Sequence, residues 1–129
     1  MKKSITQEFN YGCGIACFAF VTNVTYKKAI NFLGPKQAMS PRFWCKNLAS
    51  QLNKFGVKYI YRYVKPKLRK KIYQEGAIVL VARSKIYPTG HYLIRYKSQW
   101  MDLWINLPKD ENIKHAKSGF RKRLPCRPM

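Results

Sequence analysis

Cys13-Gly14-Ile15-Ala16-Cys17-Phe18-Ala19-Phe20-Val21-Thr22-Asn23-Val24 contains no charged residue, and nearly every side chain in it is apolar or small. A helix of that composition has no polar face to turn to water, so it is expected to be buried on most sides. The rest of the chain has to supply what covers it. Upstream, residues 1–12 read as an extended lead-in. Downstream, Thr25 is placed to cap a second helix that runs to Leu33 and stops at Gly34-Pro35. Ser40-Pro41 is an N-cap followed by proline at the first helical position. The helix it opens carries Phe43, Trp44, Leu48, Leu52 and Phe55 at three- and four-residue steps and ends at Gly56.

After Gly56 the period changes. Val57 to Val64 is rich in strand formers, with Tyr59, Tyr61 and Tyr63 alternating against Lys58, Ile60 and Arg62. Lys67 to Gln74 reads as a short basic helix after Pro66. Ala77-Ile78-Val79-Leu80-Val81-Ala82 is a continuous apolar run that fits a central strand. His91 to Lys97 and Trp100 to Ile105 read as a hairpin turning at Ser98-Gln99, and Phe120 to Leu124 as a last strand. Helices first and an antiparallel sheet afterwards give a single α+β domain over residues 1–129, with a basic tail from about 109 to 129 that is expected to fray over Phe120 to Arg127.

Composition narrows the function classes. The chain has 129 residues, 47% of them hydrophobic, enough for a real core. No run of eighteen apolar residues is present, so no membrane span is expected. Nor does the N-terminus read as a secretion signal, which points to a cytoplasmic protein. The four cysteines are then expected to be reduced, and no Cys/His cluster suggests a metal or other cofactor. Twenty-six Lys and Arg face five acids, a net charge of +21. Such a field draws polyanions and acidic proteins. The densest basic stretch, Lys65 to Lys71, reads equally as a phosphate contact and as a solvated face. The alternating tyrosines fit either base stacking or a covered sheet edge, the second being favoured.

Four residues stand in an order that suggests thiol chemistry. Cys13 opens the apolar helix between two glycines, where the backbone can approach a substrate and the helix dipole favours thiolate. His91, in Gly90-His91-Tyr92, is the candidate general base and acid. Asp102, on the paired strand, is the candidate that orients the imidazole, with Asn106 as competitor. Gln7 is the candidate side-chain donor to an oxyanion, with the Cys13 N–H as the second donor. His115 and Glu8 read as solvated.

The order Gln7, Cys13 within Cys-Gly-x-Ala-Cys, the apolar strand at 77–82, Gly90-His91-Tyr92 and Asp102 before a Trp resembles the double-glycine branch of the papain-like cysteine peptidases, over roughly residues 5–108. The resemblance implies a minimal papain-like fold, with the nucleophile on a central helix packed against an antiparallel sheet. It also implies a Cys13–His91–Asp102 triad with Gln7 in the oxyanion hole, and cleavage after Gly-Gly in a protein substrate. Related small domains serve as toxins injected into competing bacteria. Family members often carry proline after the acid, where this chain has Leu103. The transmembrane and ATPase regions of leader-processing transporters are not seen here. These expectations describe an antibacterial effector delivered into the cytoplasm of a target cell and neutralised by an acidic immunity protein. Two other classes stay open: a nucleic-acid-binding protein on the same scaffold, and a peptidyl or acyl transferase using the same four residues.

Overall fold

The structure, a computed structural model, describes residues 2–9, 12–38, 45–81, 85, 87, 90–107, 109 and 111–129. The architecture is α+β: helices in the first half, then a four-stranded antiparallel sheet. Helix α1 (Cys13–Thr22) is buried almost all round, with Ile15, Ala16, Cys17 and Phe18 fully inaccessible. It ends at Asn23, whose left-handed φ of 60° turns the chain. The Thr25 hydroxyl then accepts the Lys28 N–H at 3.2 Å and starts α2 (Tyr26–Leu33). Tyr26, Ala29 and Leu33 lie on one stripe of α2 and are buried. A short α3 (Pro35–Ala38) follows. Helix α4 (Cys45–Phe55) buries Leu48, Ala49 and Leu52. The expected Ser40-Pro41 start of this helix, with Phe43 and Trp44, lies outside the described residues.

Gly12 is needed for space rather than for a special backbone angle. Its φ is −91°, which any residue adopts. The Tyr26 hydroxyl sits where a Cβ would be and donates to the Gly12 carbonyl at 3.1 Å. The contact fixes the start of α1 against α2.

The strands are β1 (Ile78–Val81), β2 (His91–Tyr96), β3 (Gln99–Asp102) and β4 (Gly119–Arg121), paired in sequence order. The hairpin turns at Lys97-Ser98, both at positive φ, and not at Ser98-Gln99 as the sequence suggested. The Glu75 carboxylate accepts the Lys97 N–H at 2.7 Å and holds this turn. The difference matters for the site. Leu93 faces Asp102 in the observed register, so His91 is its diagonal neighbour. A turn one residue later would have set Asp102 opposite Arg95, farther from His91.

Other expectations are corrected. Val57 to Val64 joins no strand of the sheet: Asn53 of α4 takes both backbone groups of Tyr59, in place of a neighbouring strand. The short basic helix expected at Lys67 to Gln74 is present as a 3₁₀ helix over Pro66–Tyr73. β1 stands at one end of the strand order and is not central; Ala82 lies outside the described residues. The C-terminal segment is not frayed. Residues 119–121 form β4, Pro128 bridges Val81, and the Met129 N–H donates to Leu80 O at 2.9 Å.

Both faces of the sheet are covered. Tyr92 and Ile94 of β2, with Met101 and Leu103, pack under α1, α2 and α4. Leu93, with Val79, Val81 and Trp100, packs on the other face with Ile72 and Tyr87. This alternation follows from the period of two along a strand.

Gly12→Ala is expected to lower stability by roughly 1–3 kcal/mol, the usual cost of overpacking. In urea denaturation the double variant with Tyr26→Phe should be more stable than Gly12→Ala alone, because the colliding hydroxyl is gone. Simple additivity of the two losses would refute the contact.

Candidate active site

β2 begins with a residue that needs glycine before it. Gly90 has φ 81°, and a Cβ there would meet Leu80 Cδ1 at 3.0 Å and the Val81 carbonyl at 3.2 Å. It delivers His91 to the start of the strand, nearly buried. His91 Nε2 lies 2.7 Å from Asp102 Oδ1. One face of the ring stacks on Tyr87, with centroids 4.6 Å apart and planes 8° from parallel.

Asp102 has no solvent exposure. Its Oδ1 also accepts the Trp104 N–H at 3.0 Å, and its Oδ2 accepts from Arg121 Nη1 at 2.9 Å. Burial alone pushes the carboxyl up. The His91 bond and charge, the Trp104 N–H and the Arg121 guanidinium together outweigh it and hold the group below the ordinary carboxylate range. An ionised Asp102 selects the tautomer with the proton on Nε2 and leaves Nδ1 to act as base.

The Cys13 thiol packs against the core under α1, and the backbone N–H of Tyr92, the residue after His91, acts to lower its pKa. Burial pushes its pKa up to about 11; the N–H groups of Tyr92, Gly14 and Cys13 itself pull downward but less strongly. The helix N-terminus therefore acts in the expected direction, and desolvation wins. Burial thus opposes the thiolate that the helix N-terminus favours. His91, by contrast, extends to the Tyr87 face of the sheet. No hydrogen bond joins Cys13 to His91 among the described residues. The thiol at the start of α1 thus lies near the backbone of Tyr92, one residue along β2 from the imidazole.

Gln7 is buried beside both. Its N–H donates to Leu103 O at 3.0 Å, next to Asp102. Its Nε2 donates to Phe9 O at 2.7 Å, the same carbonyl that accepts the Gly12 N–H at 2.9 Å. The side-chain amide is thereby tied to the loop that leads into Cys13. Asn106 is engaged elsewhere, donating to His115 O at 3.0 Å and accepting the Lys117 N–H at 2.9 Å, so the partner of His91 is Asp102. Glu8 and His115 are exposed.

Beneath the Cys13 thiol lie Cys17, Cys45 and the Tyr92 hydroxyl. Cys45 and Tyr92 share a side-chain hydrogen bond, and burial raises all three groups. All four cysteines are free thiols. Among the described residues no cluster of three or more His, Cys, Asp or Glu forms a metal site. None of the helices there is long and apolar enough to cross a membrane.

Arg121 and Tyr87 were missed in the sequence. Arg121 read as part of a basic tail, although pairing of Trp100 with Arg121 sets it on the Asp102 face. The available signal was its place in the strand expected at Phe120 to Leu124, in a chain with only five acids to pair. Tyr87 had no pattern to mark it. No protein-family model, curated protein or solved structure matches the chain.

Two outcomes are expected. Alkylation of Cys13 by iodoacetamide, followed by mass spectrometry, should rise steeply with pH from 7 to 10. A flat profile from pH 5 upward would mean a preformed ion pair. Because the Asp102 carboxyl is lowered in the folded protein, the stability it contributes is present above its unfolded value and lost as pH falls through the folded one. Arg121→Gln raises the folded value, so acid unfolding followed by circular dichroism should begin at higher pH than in the wild type.

Proposed function

We propose that the chain is a papain-like cysteine peptidase that acts through Cys13, His91 and Asp102. The observation that carries this reading is the buried His91–Asp102 bond beside the Cys13 thiol, with the carboxylate held ionised by Arg121 and the Trp104 N–H. A fully buried acid with three donors is costly to assemble on a sheet for stability alone. It does what a base needs: it fixes the ring, selects the tautomer and stabilises the imidazolium.

For chemistry the thiol must meet Nδ1 of His91. His91 then takes the proton, and Sγ forms a bond to the scissile carbonyl carbon. The carbonyl oxygen gains the negative charge, for which the Cys13 N–H and the Gln7 amide are the nearest donors in kind. The C–N bond breaks as His91 returns its proton to the leaving amine, and water, deprotonated by the same imidazole, releases the acyl group. On this reading the raised thiol pKa makes the resting site a latent form, activated as His91 takes the proton.

The resemblance adds the specificity, cleavage after Gly-Gly in a protein substrate, and the setting, a toxin delivered into the cytoplasm of a competing bacterium. The +21 charge suits a tight acidic immunity protein that covers the cleft and associates fast at low salt. A second reading, nucleic-acid binding on the same scaffold, draws on that charge and on exposed Tyr61 and Tyr63. Transfer in place of hydrolysis would use the same residues.

The deciding experiment is a search by mass spectrometry for new protein N-termini in bacterial lysate. Wild type should create them and Cys13→Ala should not, while His91→Ala should cut the rate by roughly 10²–10⁴-fold. New termini that persist in Cys13→Ala, or none in any sample, would set the peptidase reading aside. Salt-sensitive binding of nucleic acid without cleavage would then support the second.

A further inference from the structure

On the helical side of the molecule an open groove of about 580 Å³ runs between α4 and the extended segment after it. Its rim carries Lys46, Lys54 and Arg62, and no acidic residue lines it. The segment is rigidly placed at one point. Asn53 Nδ2 donates to Tyr59 O at 3.0 Å, Asn53 Oδ1 accepts the Tyr59 N–H at 2.8 Å, and the Tyr59 hydroxyl donates to Gly76 O at 2.6 Å. Beyond Tyr59 the chain stays outside any ladder as far as Pro66. Among the described residues, the backbone N–H groups of residues 60–64 find no acceptor, and the Tyr61 carbonyl takes only the neighbouring Arg62 Nη1, at 2.8 Å.

These residues have strand-forming side chains, yet water covers them. Ile60 is 75% exposed and Tyr63 is 69% exposed. An unpaired strand with apolar side chains is a template for another strand, and proteins usually blunt such edges. The charged residues that line the groove are all positive, which repels a second copy of this chain and attracts an acid.

We propose that residues 60–64 and the α4 groove form a docking site for an acidic polypeptide that binds in extended conformation, adding a strand to this segment. Backbone pairing supplies affinity, and Lys46, Lys54 and Arg62 select the charge. Single-stranded nucleic acid fits less well. Its sugar-phosphate backbone has no strand of amides to match the open backbone groups, and Tyr61 and Tyr63 alone would be left to stack on its bases. The inference does not rest on the peptidase reading: none of its residues is Gln7, Cys13, His91 or Asp102, and its test measures binding alone.

The test is fluorescence anisotropy with a short labelled peptide alternating glutamate and valine. Wild-type protein should bind it, and Lys54→Glu with Arg62→Glu should weaken binding by about tenfold or more. Lys70→Glu with Lys71→Glu makes the same charge change on the exposed 3₁₀ helix and should alter binding by less than about threefold. A peptide methylated on alternate backbone nitrogens keeps its charge, loses strand pairing, and should bind about tenfold more weakly. All the substituted side chains are exposed, and circular dichroism checks that each variant is folded. Equal losses from the two charge reversals, indifference to methylation, or no binding would overturn the proposal. So would an oligodeoxythymidylate that binds the same groove more tightly than the peptide, which would assign the surface to nucleic acid.

Discussion

A carboxylate with no access to water holds the functional end of this protein together. Asp102 is tolerable inside only because donors reach it from three directions: β2 through His91, the turn after β3 through the Trp104 N–H, and β4 through Arg121. Each donor depends on a different stretch of chain arriving in register. The cost of an unpaired buried charge, several kcal/mol, therefore acts as a check on the assembly of the whole sheet. A register slip would strand the carboxylate among Trp100, Leu93 and Tyr87. The same constraint explains why the hairpin tolerates two non-glycine residues at positive φ, with Glu75 holding the turn from outside.

Much of this was legible in the sequence, because period and composition are local. The uncharged run after Cys13 announced a buried helix, and Thr25 announced a cap. The helix-then-sheet order gave the α+β class. What failed depended on distant partners. Val57 to Val64 has strand composition, but no neighbouring strand is offered to it, and an asparagine side chain takes that place. The hairpin turn was read one residue late because neither Lys97 nor Ser98 is a usual positive-φ residue. Arg121 looked like one more cation in a basic chain, since nothing local distinguishes an arginine that will meet a buried acid.

The candidate site divides in the same way. Residue types and order singled out Gln7, Cys13, His91 and Asp102, and the fold draws all four to one end of the sheet. Side-chain direction was not readable. The His91 ring stacks on Tyr87, on the Leu93 face of the sheet, and nothing in the residue order announces that partner. Thiol acidity escaped for a related reason. The helix N-terminus is visible in sequence, whereas the depth at which the sulfur lies is a property of packing, and here depth prevails.

The end of the chain has a consequence of its own. Pro128 and Met129 lie along the outer side of β1, where a further strand would otherwise bind. Proline has no N–H, so the ladder cannot continue through it. Residues 128 and 129 thus cover the outer side of β1 and obstruct sheet-to-sheet polymerisation there. The strand addition proposed at 60–64 would take place away from this sheet, on a segment that none of its strands pairs with.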